Sequence, residues 1–192
     1  MTYKDLKNTL VPYAGIIRFL IILVISHFAW KFTVLGDEST NQVLFFGLNI
    51  SAPFIWMSEH IASVNYLVMN WFGYEVELVD DTIIRFATGH GARIVWSCTG
   101  IKQSYIFLCL ILFSRGPWQH KLWFIPLGIL VCYVVNIARI TGLNMIIYNY
   151  REWFDFLHEH LFKYIFYGIL FLLWVWWEEK FALLSRKKRL DT

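Results

Sequence analysis

The chain has 192 residues, of which 58% are hydrophobic, 19% are aromatic and only 16% are charged. A mean hydropathy of +0.51 is too high for an ordinary soluble domain, so we expect a single integral membrane domain spanning residues 1–192. The formal net charge of +3 is unremarkable, and we expect no nucleic-acid partner.

Four apolar runs predict membrane-spanning helices, at about 11–35, 101–113, 122–148 and 161–181. The first is long enough to cross a hydrocarbon core of about 30 Å, and it lacks a small-residue cleavage site, so we expect it to stay as an anchor. The last closes with Trp174, Trp176 and Trp177, which are typical of a membrane interface.

Between the first two predicted spans, residues 41–73 form two apolar pieces that are each short for a crossing. We expect one or two interfacial or partly embedded helices there, with a short hairpin of true spans as the alternative. Residues 74–97 alternate polar and apolar side chains around a turn signal at Asp80-Asp81, which predicts a small extracytoplasmic β-hairpin. The expected fold is thus an all-α membrane helix bundle with this one β-element.

Positive charges orient the predicted bundle. Basic residues precede the first span, two more lie in the turn at 114–121, and four lie in the tail at 185–192. The positive-inside rule then places both termini and that turn in the cytoplasm. Residues 74–98, the segment at 139–151 and the start of the last span therefore share the outer face, in a multi-pass protein of the inner membrane.

Cys98 lies where the predicted β-element gives way to the apolar run that begins at Ile101. A thiol there is close to water, near the positive end of a helix dipole and beside a small-residue turn that leaves room for a substrate carbonyl. Cys109 and Cys132 lie inside apolar runs, where cysteine behaves as a small hydrophobic residue. The three cysteines show no metal-ligand spacing, so we expect neither a metal nor another cofactor.

Polar residues near the predicted outer face extend this candidate site. Arg139 lies in an apolar span, where a charge costs about 2.5 to 3.5 kcal/mol at the centre, so it either snorkels or lines a polar cavity together with Asn136. In a cavity, its guanidinium can hold a carboxylate or stabilise an oxyanion. His158 and His160 form a weak metal pair but a suitable general base for a thiol, and an interfacial histidine without a role is the alternative.

Three short motifs, in the order Cys, Arg, His, carry a family resemblance. They are Cys98-Thr99-Gly100-Ile101, Asn136-Ile137-Ala138-Arg139-Ile140, and His158 ahead of Phe162-Lys163-Tyr164-Ile165. Together they resemble the exosortase/archaeosortase family of membrane cysteine transpeptidases, over about residues 75–177. The resemblance implies Cys98 as nucleophile, Arg139 as the group that orients or stabilises the intermediate, and His158, or alternatively His160, as acid and base. Thr99, Gly100 and Asn136 would support them. Larger family members carry spans that this chain lacks.

The same resemblance implies a protein substrate with a C-terminal sorting signal: a short motif, one transmembrane helix and a basic tail. The enzyme would cleave near the motif, hold the new C-terminus as a thioester on Cys98 and pass it to an amine or other acceptor. The oligomeric state is not predicted.

Two other function classes stay open from the residues alone. One is a non-enzymatic membrane assembly or transport subunit, in which Arg139 pairs structurally with Glu152 or Asp155. The other is an exopolysaccharide-linked membrane enzyme that uses a carboxylate group. The acids for that role are Glu75, Glu77, Asp80 and Asp81, and their alternation on a strand-like segment fits a solvated face better.

Overall fold

The computed structural model describes residues 13–87, 89–149 and 162–182, and these are mostly helical. The described α-helices are α1 (Ala14–Thr33), α2 (Ser51–Trp71), α3 (Ile101–Phe113), α4 (Trp118–Asn149) and α5 (Phe162–Trp177), the last followed by a π-helical turn at Glu178–Ala182. The strands are β1 (Val34–Asp37), β2 (Gln42–Phe45), β3 (Leu48–Asn49), β4 (Val76–Val79), β5 (Ile83–Phe86) and β6 (Gly91–Arg93). The predicted acid–base residues His158 and His160, and the basic tail at 185–192, lie outside the described residues.

Two described helices are long and apolar enough to cross a membrane, by length and composition: α1 with 20 residues and α4 with 32. The exposed residues of α1 are largely apolar, as at Leu20, Ile21 and Ile25, which suits contact with lipid. Helix α3 is apolar but has only 13 residues, so it extends about 20 Å and is shorter than a hydrocarbon core. Helix length and composition therefore support two of the four predicted spans.

Residues 34–49 form a three-stranded antiparallel sheet in the order β1-β2-β3, where we expected interfacial helices from residue 41 onward. The chain reverses at Phe46 and Gly47, which both have positive φ (48° and 85°). Ser51 then ties β2 to the start of α2, because its Oγ accepts a hydrogen bond from the Val43 N–H at 2.8 Å. An apolar run as short as Val43 to Ile50 suits a strand as well as a helix, which is why these residues form strands although helices were expected over 41–73. Residues 51–71 form one continuous helix.

The second sheet, β4-β5-β6, is also antiparallel and has three strands, one more than the predicted hairpin. The chain reverses between β4 and β5 at Asp80 and Asp81, which adopt left-handed conformations (φ 49° and 55°). The sheet packs on the C-terminal half of α4 through edge-to-face contacts of Phe86 and Tyr74 with Tyr148, at 5.6 and 5.1 Å between ring centroids. It leads the chain directly to Cys98.

Three clusters of buried side chains hold these elements together. The largest joins α1, α3, α4 and α5, and Gly128 lets the Phe107 ring lie directly on the backbone of α4. A second cluster joins α2, the β4-β5-β6 sheet and α4. The third consists of Trp30, Val34, Val43 and Phe54, with Trp96 packed against it. This third cluster brings α1, the first sheet and α2 against the segment that carries Cys98.

Candidate active site

Cys98 ends a single turn of 3₁₀-helix, Trp96–Cys98, immediately before α3. The Cys98 N–H donates to Val95 O at 2.9 Å, and the Thr99 hydroxyl donates to Trp96 O at 2.7 Å. Gly100 follows with φ +76°, a left-handed conformation that glycine adopts without steric cost. This sharp turn places the half-buried Cys98 beside the N-terminus of α3, where the partial positive charge of the helix favours an anion.

Asn136 of α4 holds the Cys98 turn through a hydrogen bond. Its side chain is fully buried, and its Nδ2 donates to Cys98 O at 2.8 Å. Gly100 faces the same side chain so closely that an added Cβ would lie 3.0 Å from Asn136 Cγ. The amide and the glycine together fix the turn on α4.

A cavity of about 720 Å³ opens beside this turn, and both Cys98 and Arg139 line it. The remaining wall is largely aromatic, with side chains from α1, α2 and α5 that include Trp30, Phe54 and Phe166. The structure therefore brings together the predicted nucleophile and the predicted cation, which are far apart in sequence.

Several buried polar atoms around the cavity have no hydrogen-bond partner in the part of the chain that the structure describes. They are Arg139 Nε, Asn136 Oδ1, Gln103 Oε1 and Trp96 Nε1. An unpaired buried donor or acceptor costs about 1–3 kcal/mol, and each one in a native fold calls for an explanation. Arg139, Gln103 and Trp96 line the cavity, and unpaired polar atoms in a cavity wall are typical of a site that a substrate or ordered water completes.

Sequence reasoning missed three basic residues in the cavity wall: His27 and Lys31 of α1, and Lys102 of α3. Tyr167 of α5 lies beside His27, with 3.5 Å between Oη and Nδ1. A polar residue at position 27 and a cation at position 31, both within an otherwise apolar run, were the available signals. No acidic residue is found among the described residues that line the cavity, so its described wall is positively charged.

The acidic residues considered for a carboxylate site do not line the cavity. Glu77 faces Arg85 across the β4–β5 pair, with 3.9 Å between Oε2 and Nη1, and both side chains are exposed. Within residues 13–87, 89–149 and 162–182 there is no group of three or more His, Cys, Asp or Glu side chains that could hold a metal ion.

A family model described as transmembrane exosortase matches residues 8–177 of the chain. The match includes Cys98, Asn136, Arg139 and both candidate histidines. No curated protein matches the chain, and no solved structure matches it either.

Proposed function

The chain belongs to the transmembrane exosortase family and is a membrane protein, and from this premise we propose that it is a cysteine peptidase and transpeptidase whose nucleophile is Cys98. The observation that carries the proposal is the shared cavity: a cysteine at a helix N-terminus and an arginine from another helix line the same space. This combination provides a nucleophile and a fixed cation for acyl transfer.

In the proposed reaction, the Cys98 thiolate attacks the carbonyl carbon of the scissile peptide bond. The C–N bond then breaks, the amine leaves with a proton from a protonated histidine, and the substrate's new C-terminus stays on Cys98 as a thioester. An acceptor amine attacks the thioester, gives its proton to the neutral histidine and releases the Cys98 thiolate. Water in place of the acceptor would give hydrolysis.

Arg139 is proposed to stabilise the negative charge that develops on the carbonyl oxygen during both attacks. A guanidinium stays protonated throughout, so its positive charge is present during both attacks. Asn136, Thr99 and Gly100 are proposed to hold the Cys98 turn, because each contacts the turn or forms part of it.

His158 is the proposed acid and base, with His160 as the alternative. His27 is a further candidate, because it lines the cavity that contains Cys98. Single replacements of His27, His158 and His160 by glutamine identify the base. Replacing the essential histidine is expected to abolish thioester formation, whereas replacing either of the other two is expected to leave it measurable.

We further propose that the protein lies in the inner membrane with both termini in the cytoplasm and the cavity at the extracytoplasmic face. The proposed substrate is an exported protein with a C-terminal motif, a transmembrane helix and a basic tail. Its helix would dock in the bilayer against the bundle, so the scissile bond would reach the depth of Cys98 with little further ordering. The aromatic wall of the cavity suits apolar groups of such a substrate.

The test is processing of such a substrate by the protein and its cysteine variants in membranes. Cys98→Ala is expected to abolish cleavage while protein abundance stays unchanged. Cys109→Ala is the matched control and is expected to retain cleavage, because Cys109 is a buried residue of α3 that does not line the cavity. Continued cleavage by Cys98→Ala would overturn Cys98 as the nucleophile. Absence of cleavage by the wild-type protein would favour a non-enzymatic assembly or transport role, in which Arg139 matters only for folding.

A further inference from the structure

The turn that joins β1 to β2 contacts the residues that lead into Cys98. Three hydrogen bonds connect the two segments: Ser97 Oγ to Glu38 Oε1 (2.6 Å), Trp96 N to Asn41 Oδ1 (3.3 Å) and Arg93 Nη1 to Ser39 O (3.4 Å). The first is charge-assisted and short, the strong class of hydrogen bond. The β1–β2 turn and the segment that leads into Cys98 are therefore joined by side-chain and backbone contacts, although they lie far apart in sequence.

Gly36 of β1 packs directly against the Trp96 side chain, in the turn that leads to Cys98. A Cβ at Gly36 would lie 2.3 Å from Trp96 Cζ2 and 2.5 Å from Cε2, so no larger residue fits without displacing the indole. Phe54 of α2 lies edge-on to the same indole at 6.1 Å between centroids. Trp96, which lines the cavity two residues before Cys98, is thus fixed between the hairpin and α2.

The hairpin turn is itself held in shape by local bonds. The Asp37 carboxylate accepts hydrogen bonds from the Ser39 hydroxyl (2.8 Å), the Ser39 N–H (2.9 Å) and the Thr40 hydroxyl (3.0 Å). These bonds, the Ser39 hydroxyl foremost, lower the pKa of Asp37. Asn41 closes the turn in a left-handed conformation with 7% of its surface exposed. The turn is therefore ordered before any substrate arrives.

We propose that the β1–β2 hairpin positions the nucleophile, with Gly36 and Glu38 as positioning residues that act on Cys98 through Trp96 and Ser97. The hairpin holds the segment before Cys98, whereas Asn136 holds the carbonyl of Cys98 itself. Because β1 continues α1 without an intervening loop, the hairpin also ties the Cys98 turn to the helix that carries Lys31 into the cavity. This inference rests on the proposed function of Cys98 and adds residues to that same site.

The test uses the full chain in detergent and in membranes, with two readouts. One is the rate constant for alkylation of Cys98 by iodoacetamide, followed by intact-protein and peptide mass spectrometry. The other is substrate processing, separated into kcat and KM. Alkylation needs no substrate, so it reports on the position of the thiol even if the proposed peptidase activity fails.

Gly36→Ala is expected to change the alkylation rate constant at Cys98 by at least about threefold and to lower kcat roughly 10- to 100-fold, since small displacements of a reacting group have effects of this size. KM is expected to stay near its wild-type value. Trp96→Phe removes the ring atoms that the new methyl group would meet, so the double variant is expected to have the alkylation rate constant and kcat of Trp96→Phe alone.

Gly47→Ala is the matched control, because Gly47 lies at the other turn of the same sheet, has φ +85° and has no neighbour within 4 Å of an added Cβ. It lowers thermal stability through backbone strain and leaves Cys98 alkylation unchanged. If Gly36→Ala and Gly47→Ala behave alike at Cys98, or if Gly36→Ala has the same effect in the Trp96→Phe background as in the wild type, the positioning role is wrong.

Glu38→Gln provides an independent measurement should Gly36→Ala fail to fold. It removes the charge from the bond to Ser97 and keeps the shape of the side chain. A threefold or larger change in Cys98 alkylation, lost when Ser97→Ala is already present, supports the proposal, and an unchanged rate constant overturns it.

Discussion

Replacing Asn136 by leucine probes the contact that holds the Cys98 turn on α4. Leucine has the same branched shape, but it removes the Nδ2 donor that lies 2.8 Å from Cys98 O in a fully buried position. The carbonyl is then left without this partner, which costs about 1–3 kcal/mol. Asn136 Oδ1 has no described hydrogen-bond partner. Removing this buried, unpaired oxygen therefore offsets part of the free-energy cost of the lost hydrogen bond. We therefore expect a net destabilisation of about 1–2 kcal/mol.

Asn136→Asp is the more severe replacement at the same position. It keeps the shape of the side chain but puts a carboxylate oxygen in place of the donor, opposite the Cys98 carbonyl. A buried charge without a compensating partner costs more than a lost hydrogen bond, so we expect a loss above about 3 kcal/mol, or protonation of the new carboxyl group.

Thermal and denaturant unfolding in one detergent, together with alkylation of Cys98, measure these effects. Val134→Ala is the control, because Val134 lies on the exposed face of α4 and does not contact the turn. If Asn136→Leu unfolds with the wild-type free energy and leaves Cys98 alkylation unchanged, the bond to Cys98 O does not hold the turn, and the reasoning fails.

Three further replacements test neighbouring parts of the account. Gly100→Ala forces a left-handed alanine, so we expect a loss of about 1–2 kcal/mol with a large fall in substrate processing, whereas Gly47→Ala should show the thermal loss alone. Thr141→Val leaves the buried Asn65 Oδ1 without its 2.9 Å bond and should lower the unfolding free energy by about 1–3 kcal/mol, largely recovered by adding Asn65→Leu. Lys121→Met removes two 2.7 Å bonds to the carbonyls that end α3, and chemical denaturation should show a loss of about 2 kcal/mol or more.

The sequence predicted the helical, membrane-embedded character of the chain because apolar runs as long as those of α1 and α4 leave few alternatives. It did not predict the first sheet, because an eight-residue apolar run carries no periodicity that separates a strand from a helix. The pairing of Val34 with Phe45 and of Asp37 with Gln42, which makes the hairpin, depends on a turn at Asn41 that the sequence reasoning did not identify.

The sequence predicted the candidate site only as far as the distribution of basic residues placed Cys98 and Arg139 on the same face of the membrane. The positive-inside rule suggested a common face for Cys98 and Arg139, and both line one cavity in the structure. The contribution of Gly36 was not predictable, because it depends on how the β1–β2 hairpin packs against a turn some sixty residues later in the chain. Such contacts are set by tertiary packing and leave no local pattern.

The central claim is that Cys98 carries the acyl group. Incubating the protein with a substrate that bears the C-terminal motif, helix and basic tail, followed by rapid acid quenching and peptide mass spectrometry, tests it directly. The account predicts a hydroxylamine-sensitive adduct on the peptide that contains Cys98, with Cys109 and Cys132 unmodified. The mass of the adduct is that of the substrate peptide that ends at the new C-terminus, less one water. Cleavage of the substrate by the Cys98→Ala variant, or an adduct on another residue, would contradict it.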